Sequence, residues 1–115
     1  MSWSISFHDD FVAEFNALSK TVRIELLAHA VLLETLGPRL SRPHADTLKG
    51  SRHANMKELR FKADGGVWRV AFALDPHRKA ILLVAGDKSG GSEKRFYRRL
   101  IDKADTRFDS HLAAL

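Results

Sequence analysis

Residues 56–88 read MKELRFKADGGVWRVAFALDPHRKAILLVAGDK, and this stretch decides the fold. It contains three β-rich runs, at residues 56–62, 67–74 and 79–85, which are separated by the turn sequences DGG and DPHR. Short loops of this composition connect neighbouring antiparallel strands. The stretch therefore predicts a three-stranded antiparallel meander.

The middle run predicts a strand with two unlike faces, because side chains alternate between the faces of a strand. The large apolar face consists of Trp68, Val70, Phe72 and Leu74, and the small-residue face of Val67, Arg69, Ala71 and Ala73. We expect the first face to be buried and the second to present the Arg69 guanidinium in a shallow hollow. Taken alone, Arg69 is more simply explained as a solvated or ion-paired strand residue, because charged groups are mostly exposed.

Charged side chains on the neighbouring runs favour a site around Arg69. Glu58, Arg60 and Lys62 share one face of the first run, and the third run leads to Lys88. If these positions meet Arg69 on one face of the sheet, several cations and a carboxylate converge there. Such a cluster suits a phosphodiester, whose negative charge grows during phosphoryl transfer.

Length and composition limit the kind of protein. The chain has 115 residues, which predicts a single domain over residues 1–115. It has no cysteine, so disulfides and thiolate metal sites are excluded and an intracellular protein is expected. No signal peptide is recognisable, and the longest apolar run, residues 80–85, is too short to cross a bilayer. We therefore expect a cytoplasmic protein with no membrane partner.

The positive charge lies mainly in the second part of the chain. The net charge is +5, from 19 Lys and Arg and 14 Asp and Glu. Residues 1–40 carry three basic and five acidic side chains, so the remainder carries sixteen basic and nine acidic ones. A basic excess on and after the predicted sheet indicates a polyanionic partner, and nucleic acid more than lipid. A basic domain without such a partner is the alternative.

The N-terminal part predicts a strand and two helices. Residues 3–7 alternate apolar and serine side chains, as in a half-buried strand, and acidic residues then open a first helix. Ser19 is placed to cap a second helix that runs to about Leu36. That helix has a second apolar stripe opposite the first, formed by Ile24, Leu27 and Val31. A helix that is apolar on two sides is either buried on both or covered by a partner, and we expect a partner here.

A basic, loop-like segment and a basic helix flank the meander. Residues 37–54 are expected to form a mobile loop that either clamps phosphates or serves as a solvated connector. The histidines of this segment do not match a metal-ligand spacing, and no metal or other cofactor is expected. Ser92 is placed to cap the last helix, and Tyr97 is expected to be a packing residue. The candidate RNA-binding residues are Lys49, Arg52, Lys57, Lys62 and Arg95.

The order and spacing of several short motifs carry a family resemblance. LKG (48–50), KELR (57–60), WRV (68–70) and ILLVAGDK (81–88) are followed by a basic helix. Over residues 3–108 the chain resembles the HigB-type branch of the RelE/ParE toxin superfamily, which includes phage-derived Gp49-like proteins. The resemblance implies an α+β, RelE-like microbial RNase fold with an N-terminal strand, two helices, the antiparallel meander and a C-terminal helix.

The resemblance also implies a function. Such proteins are toxins of type II toxin–antitoxin systems, and most cut mRNA on the ribosome without a metal, by attack of the ribose 2′-hydroxyl on the adjacent phosphate. The implied partners are the ribosome, mRNA and a HigA-like helix-turn-helix antitoxin, through which contact with DNA would be indirect. The alternatives are a ParE-like toxin that poisons DNA gyrase by binding and a non-catalytic basic RNA-binding domain.

Site roles follow from the same resemblance. Arg69 matches the arginine that contacts the scissile phosphate, and Arg60 matches one that stabilises the transition state. Lys88 falls where relatives place a basic or histidine side chain that protonates the leaving oxygen or holds the phosphate. Glu58 is the nearest candidate base, with Asp46 behind it. The His or Tyr that some relatives carry at the end of the last strand is replaced by Asp87-Lys88.

Overall fold

The computed structural model, which describes residues 2–115, contains one five-stranded sheet and three α-helices. The strands are β1 (Ser4–Phe7), β2 (Ala45–Thr47), β3 (Met56–Ala63), β4 (Gly66–Leu74) and β5 (Lys79–Asp87), and the helices are α1 (Asp9–Asn16), α2 (Lys20–Leu36) and α3 (Glu93–Ala113). The strand order in the sheet is β1-β5-β4-β3-β2. The predicted α+β class, with an N-terminal strand and two helices, a meander and a C-terminal helix, is confirmed.

The antiparallel meander forms β3, β4 and β5. Arg60 pairs with Arg69 across β3 and β4, and Gly86 of β5 pairs with Arg69 on its other side. The turn between β3 and β4 contains Asp64 with φ of 54° and Gly65 with φ of 76°. Positive φ at two successive turn residues matches the twist of a two-residue hairpin, and Asp-Gly adopts it readily.

Two strands extend the sheet beyond the meander. β1 pairs in parallel with the first half of β5, and β2 pairs antiparallel with β3. The expectation that residues 37–54 form a loop is wrong for six of them, which form β2 and a 3-10 turn at Gly37–Arg39. The neighbouring Ser51 donates its hydroxyl hydrogen to Asp105 of α3. These contacts hold the basic segment against the sheet and α3.

Both faces of the sheet are buried. On one face, Phe72 and Leu59 pack with Leu26 of α2 and with residues of α1. On the other face, Ala71 and Ala73 belong to a second core that contains Leu100, Ala104 and Phe108 of α3. The predicted open hollow around Arg69 is therefore wrong, because α3 lies over the small side chains of β4. Small residues at these positions let the helix approach the sheet closely.

The second apolar stripe of α2 is exposed, as the sequence predicted. Ile24, Leu27 and Val31 are 57%, 45% and 62% exposed, whereas the opposite stripe, which contains Leu26 and Leu33, is buried.

In the described part of the chain, no helix is both long and apolar enough to span a membrane.

Polar contacts fix the C-terminal half of α3. Arg107, which is only 9% exposed, donates to both carboxylate oxygens of Glu14 in α1 and to the carbonyl of Leu83 in β5. His111 lies 2.9 Å from a carboxylate oxygen of the buried Asp75, in the turn between β4 and β5. Breaking a buried charge pair by removing one partner is strongly destabilising. These contacts therefore set the position of the helix on the sheet.

Candidate functional site

Glu58 lies at the centre of a hydrogen-bonded cluster on the α3 side of the sheet. It is 4% exposed, because its position in β3 points it beneath the N-terminal half of α3. Oε2 accepts a hydrogen bond from Nη1 of Arg60 at 2.7 Å, and Oε1 accepts one from the hydroxyl of Tyr97 at 2.9 Å. Both carboxylate oxygens are therefore engaged, as burial of a charged group requires.

Arg69 is joined to the same cluster through Tyr97. Its Nε donates to the Tyr97 hydroxyl at 3.2 Å and lies 3.8 Å from Oε1 of Glu58, while Nη1 donates to the carbonyl of Trp68 at 2.9 Å. The guanidinium is 6% exposed. The ion-paired interpretation of Arg69 is thus the correct one for this structure.

Tyr97 is the site residue that the sequence interpretation missed. Its hydroxyl accepts from one buried charged group and donates to another. Burial raises the pKa of Tyr97, Arg69 opposes that increase, and the negative charge of Glu58 adds to it, so the phenol stays protonated at neutral pH. One clue was available: Tyr97 lies at the edge of the apolar stripe of α3, where a side chain packs its ring and keeps its hydroxyl near polar groups.

An open cleft of about 290 Å³ borders this cluster. Its cations come from β3, the end of β5 and the segment around β2: Arg42, Lys49, Arg60 and Lys88. Glu58, Tyr97 and two further carboxylates also line it, and Lys88 is bound to the carboxylate of Glu93, at the start of α3. The predicted residues Glu58, Arg60, Lys88 and Lys49 therefore lie around one cleft, with Arg69 behind it.

Two exposed carboxylates hold cations at the rim of the cleft. Arg42 donates from Nε to Asp46 at 2.8 Å, and hydrogen bonds from Arg42 and from the Thr47 amide lower the pKa of Asp46. The hydrogen bond from Lys88 likewise lowers the pKa of Glu93. Because exposed ion pairs contribute little free energy, an incoming phosphate can replace either carboxylate.

The other predicted RNA-binding residues do not line this cleft. Arg52 is paired with Asp105 and Asp109 of α3. Lys57 donates to the carbonyl of Pro38, while Lys62 and Arg95 line two other depressions of the surface. The basic residues therefore form several patches.

The cations of the cleft are of a kind that suits a phosphodiester, and its carboxylates are poorly suited to take up a proton. Arg60 presents a guanidinium fixed by Glu58, an arrangement suited to phosphate oxygens. Glu58 already accepts two hydrogen bonds, and Asp46 has a lowered pKa. Within residues 2–115, no three His, Asp or Glu side chains are grouped so that they would hold a metal ion.

Comparisons with known proteins define the class. The fold is that of the microbial toxin RelE: a double arginine-to-alanine mutant of E. coli RelE in the free state superposes with a TM-score of 0.60, covering 90% of this chain and 97% of that one at 17% identity. The family model for phage-derived Gp49-like proteins matches residues 13–109. This chain therefore belongs to the phage-derived Gp49-like family, and its resemblance to HigB-type members of the RelE superfamily is confirmed.

Two curated relatives come from Mycobacterium tuberculosis. The chain is 43% identical over 102 residues to the protein named toxin HigB2, and 43% identical over 100 residues to the protein named toxin HigB3. These alignments cover 88% and 87% of this chain. The chain spans 50% of the length of the first relative and 85% of the second.

Proposed function

We propose that this chain is the toxin of a type II toxin–antitoxin system and that it is an endoribonuclease which cuts mRNA on translating ribosomes. The observation that carries the proposal is the hydrogen-bonded cluster of Glu58, Arg60, Arg69 and Tyr97 beside a cation-lined cleft, in a chain that is 43% identical to two proteins named as toxins. A protein that acts only by binding does not need two arginines fixed around a buried carboxylate.

Arg60 is the group we assign to the scissile phosphate. Its side chain is 21% exposed, and Glu58 engages only one of its two terminal nitrogens in the contacts of the cluster. A donor whose position is fixed before the reaction stabilises developing charge without reorganisation. The sequence predicted that Arg69 contacts the phosphate. We assign that contact to Arg60 instead, because Arg69 is buried and hydrogen-bonded to Tyr97. Arg69 is then a positioning residue.

Lys88 and the rim cations complete the phosphate site. On substrate binding, the Lys88 ammonium exchanges Glu93 for a phosphate or for the leaving oxygen. Lys49 and Arg42 bind the flanking phosphates of the RNA strand. Several such contacts release counterions, so binding weakens steeply as the salt concentration rises.

The nucleophile in the proposed reaction is the substrate's own 2′-hydroxyl. Its oxygen bonds to phosphorus, the bond from phosphorus to the 5′ oxygen breaks, and a 2′,3′-cyclic phosphate remains on the upstream product. The reaction needs no metal-bound water, and DNA is not a substrate because it lacks the hydroxyl.

The proposed partner that controls this activity is an antitoxin of the HigA-like, helix-turn-helix kind. The site of action is the ribosome, which places the protein in the cytoplasm. DNA contact would come only through the antitoxin. The exposed stripe of Ile24, Leu27 and Val31 on α2 is the surface we assign to this partner.

The test uses purified protein, translating ribosomes and a defined mRNA. The first substrate is all-ribose, and the second carries one 2′-deoxy nucleotide at the cleavage position found in the first. Mg²⁺ is kept for ribosome integrity and transition metals are chelated. We expect cleavage of the ribose substrate to a cyclic phosphate and survival of the deoxy substrate. Cutting of the deoxy substrate contradicts the mechanism.

Arg60→Ala tests the assignment of Arg60, and Lys20→Ala is its control. Arg60→Ala is expected to lower the cleavage rate by two to three powers of ten, as loss of a preorganised contact does. Lys20→Ala removes an exposed cation at the start of α2, across the sheet from the cleft, and is expected to leave the rate unchanged. Growth arrest without RNA cleavage in any context would support the gyrase-poison alternative.

A further inference from the structure

A second cleft, of about 440 Å³, lies on the α2 side of the sheet edge. It contains a pair of histidines from distant parts of the chain, His29 of α2 and His44 just before β2. Arg60 lines this cleft as well as the first one, and its backbone amide donates to the carbonyl of His44 at 2.8 Å. The two clefts therefore meet at Arg60, the residue that we propose binds the phosphate.

The hydrogen bonds of the pair determine its tautomers. Nδ1 of His29 lies 2.9 Å from the carbonyl oxygen of Glu25, which only accepts, so Nδ1 carries a hydrogen. In the neutral pair, Nε2 of His29 is then an acceptor, and it lies 3.3 Å from Nδ1 of His44, which must donate. The lone pair of His44 is consequently on Nε2, the nitrogen that this chain of hydrogen bonds leaves unused.

The geometry of the pair leaves Nε2 of His44 as the available proton acceptor. Protonation of Nε2 leaves the hydrogen bond between the rings intact, whereas a second proton would place two N–H groups against each other. His29 is held in place by its contact with Phe61, at 5.1 Å between ring centroids. His44 is exposed, so its Nε2 can be reached by substrate.

Charged residues from the elements around the pair line the same cleft. Glu25 comes from α2, Arg60 and Lys62 from β3, and Arg69 from β4. Asp46, two residues after His44, is paired with Arg42. The cations favour a phosphodiester at the place where a base would act on it.

We propose that His44 is the general base of the cleavage reaction and that His29 is the residue that positions it. The inference rests on the proposed endoribonuclease function. Glu58 and Asp46 already accept hydrogen bonds from other groups and are poorly placed to accept a proton. His44 would supply the proton acceptor that the reaction needs.

Nε2 of His44 accepts the proton of the 2′-hydroxyl as the 2′ oxygen forms its bond to phosphorus. The bond from phosphorus to the 5′ oxygen breaks, and the leaving oxygen takes a proton from water. The imidazolium of His44 then neutralises the hydroxide so formed. Arg60 binds the phosphate throughout.

The test measures single-turnover cleavage of ribosome-bound mRNA by wild type, His44→Ala and His44→Gln. General-base catalysis contributes about 100-fold or more, so we expect both variants to be slowed by at least about 100-fold with unchanged binding of the deoxy substrate. Added imidazole should partly restore His44→Ala. The matched control is His77→Ala, an exposed histidine in the turn between β4 and β5, which should cleave like wild type.

Two further readouts separate a base from a structural role. The pH–rate profile of wild type should contain a rising limb that is absent in His44→Gln, because a general base must be unprotonated to act. His29→Phe should shift the limb and retain part of the rate. A substrate with sulfur at the leaving position needs no acid, so His44→Ala should remain slow on it.

Three results would overturn the assignment. His44→Ala could cleave within about threefold of wild type with the same pH profile. The sulfur substrate could restore its rate, which would make His44 an acid. Melting temperatures of the variants well below that of wild type, with no imidazole rescue, would assign His44 to structure alone. Failure of wild type to cut RNA in any context would instead overturn the endoribonuclease function itself.

Discussion

Tyr97→Phe is the most direct test of the hydrogen-bonded cluster, because it removes one oxygen atom and keeps the ring. The lost hydroxyl donates to Glu58 at 2.9 Å and accepts from Nε of Arg69 at 3.2 Å. Hydrogen bonds to charged groups contribute about 1.5–3 kcal/mol each. Arg69 and Glu58 are 3.8 Å apart and can close to a direct contact, which offsets part of the loss.

The expected net loss is about 2 kcal/mol in the free energy of unfolding. For a chain of this size that corresponds to a melting temperature lower by roughly 8 °C. Because burial raises the pKa of Tyr97, the hydroxyl is protonated throughout the neutral range. The difference between wild type and variant should therefore be constant across that range. Cleavage should also slow, because Arg69 and Glu58 no longer share a fixed partner.

The assay is urea unfolding followed by the fluorescence of Trp3 and Trp68. Thr35→Val is the matched control, since it removes an exposed hydroxyl that donates to the carbonyl of Val31, and it should cost less than about 0.5 kcal/mol. A loss of less than about 0.5 kcal/mol for Tyr97→Phe would refute the cluster as described. A double-mutant cycle with Glu58→Gln should show coupling of at least about 1 kcal/mol.

Three other changes probe separate parts of the fold. Burial alone would raise the pKa of Asp75, but the hydrogen bonds from His111 and two backbone amides outweigh it and lower the pKa. The stabilising effect of Asp75 is therefore present above about pH 4 and is lost as the pH falls further. In Asp75→Asn, the plot of urea midpoint against pH should be flatter in that acid range. Gly86→Ala places a methyl carbon 2.8 Å from Phe96 and should cost about 1–3 kcal/mol in urea unfolding. Leu27→Lys should weaken antitoxin binding in calorimetry without lowering the melting temperature.

The outcomes that contradict these expectations are equally specific. An Asp75→Asn variant with the acid sensitivity of wild type would mean that other carboxylates determine it. A Gly86→Ala variant as stable as wild type would mean that α3 shifts away from β5 at no cost. For the antitoxin surface, Ser110→Lys on α3 is the control, and equal affinity for the Leu27 and Ser110 variants would move the interface elsewhere.

Much of the fold follows from local sequence signals. Three β-rich runs separated by turn sequences predicted β3, β4 and β5, and the Asp-Gly turn has the positive φ angles that its composition favours. Ser19 and Ser92 cap α2 and α3, each accepting a hydrogen bond from the third amide of its helix. These features depend on neighbours close in the chain, so the sequence alone expresses them.

Features set by distant parts of the chain were not predictable in the same way. β2 has three residues, too few for a periodic pattern, and it exists because β3 offers an edge for pairing. The covering of Ala71 and Ala73 by α3 depends on where that helix lies. The pattern of β4 shows that one face is small, but an open hollow and a helix-covered surface both require small residues.

In the candidate site, too, residues on neighbouring strands were predictable from the sequence, whereas residues brought in by distant elements were not. The sequence interpretation grouped Glu58, Arg60 and Arg69 through strand alternation, and the structure brings them together. It missed Tyr97 because residues 88–92 connect the strand to the helix, and only the docked helix brings the hydroxyl back over the sheet. The pairing of His29 with His44 was missed for the same reason, since it joins α2 to the segment before β2.

The position of α3 connects stability with the proposed activity. Its C-terminal half is fixed to α1, β5 and the turn between β4 and β5 by buried charged groups, and its N-terminal half carries Tyr97 and Glu93 of the cleft. Because α3 is one continuous helix from Glu93 to Ala113, those distant contacts help to determine where the Tyr97 hydroxyl lies. Of the cleft's carboxylates, the exposed Glu93 and Asp46 can give way to phosphates, but the buried Glu58 cannot. Substrate binding should thus exchange the rim pairs and leave the pair of Glu58 and Arg60 as the fixed reference against which the phosphate is placed.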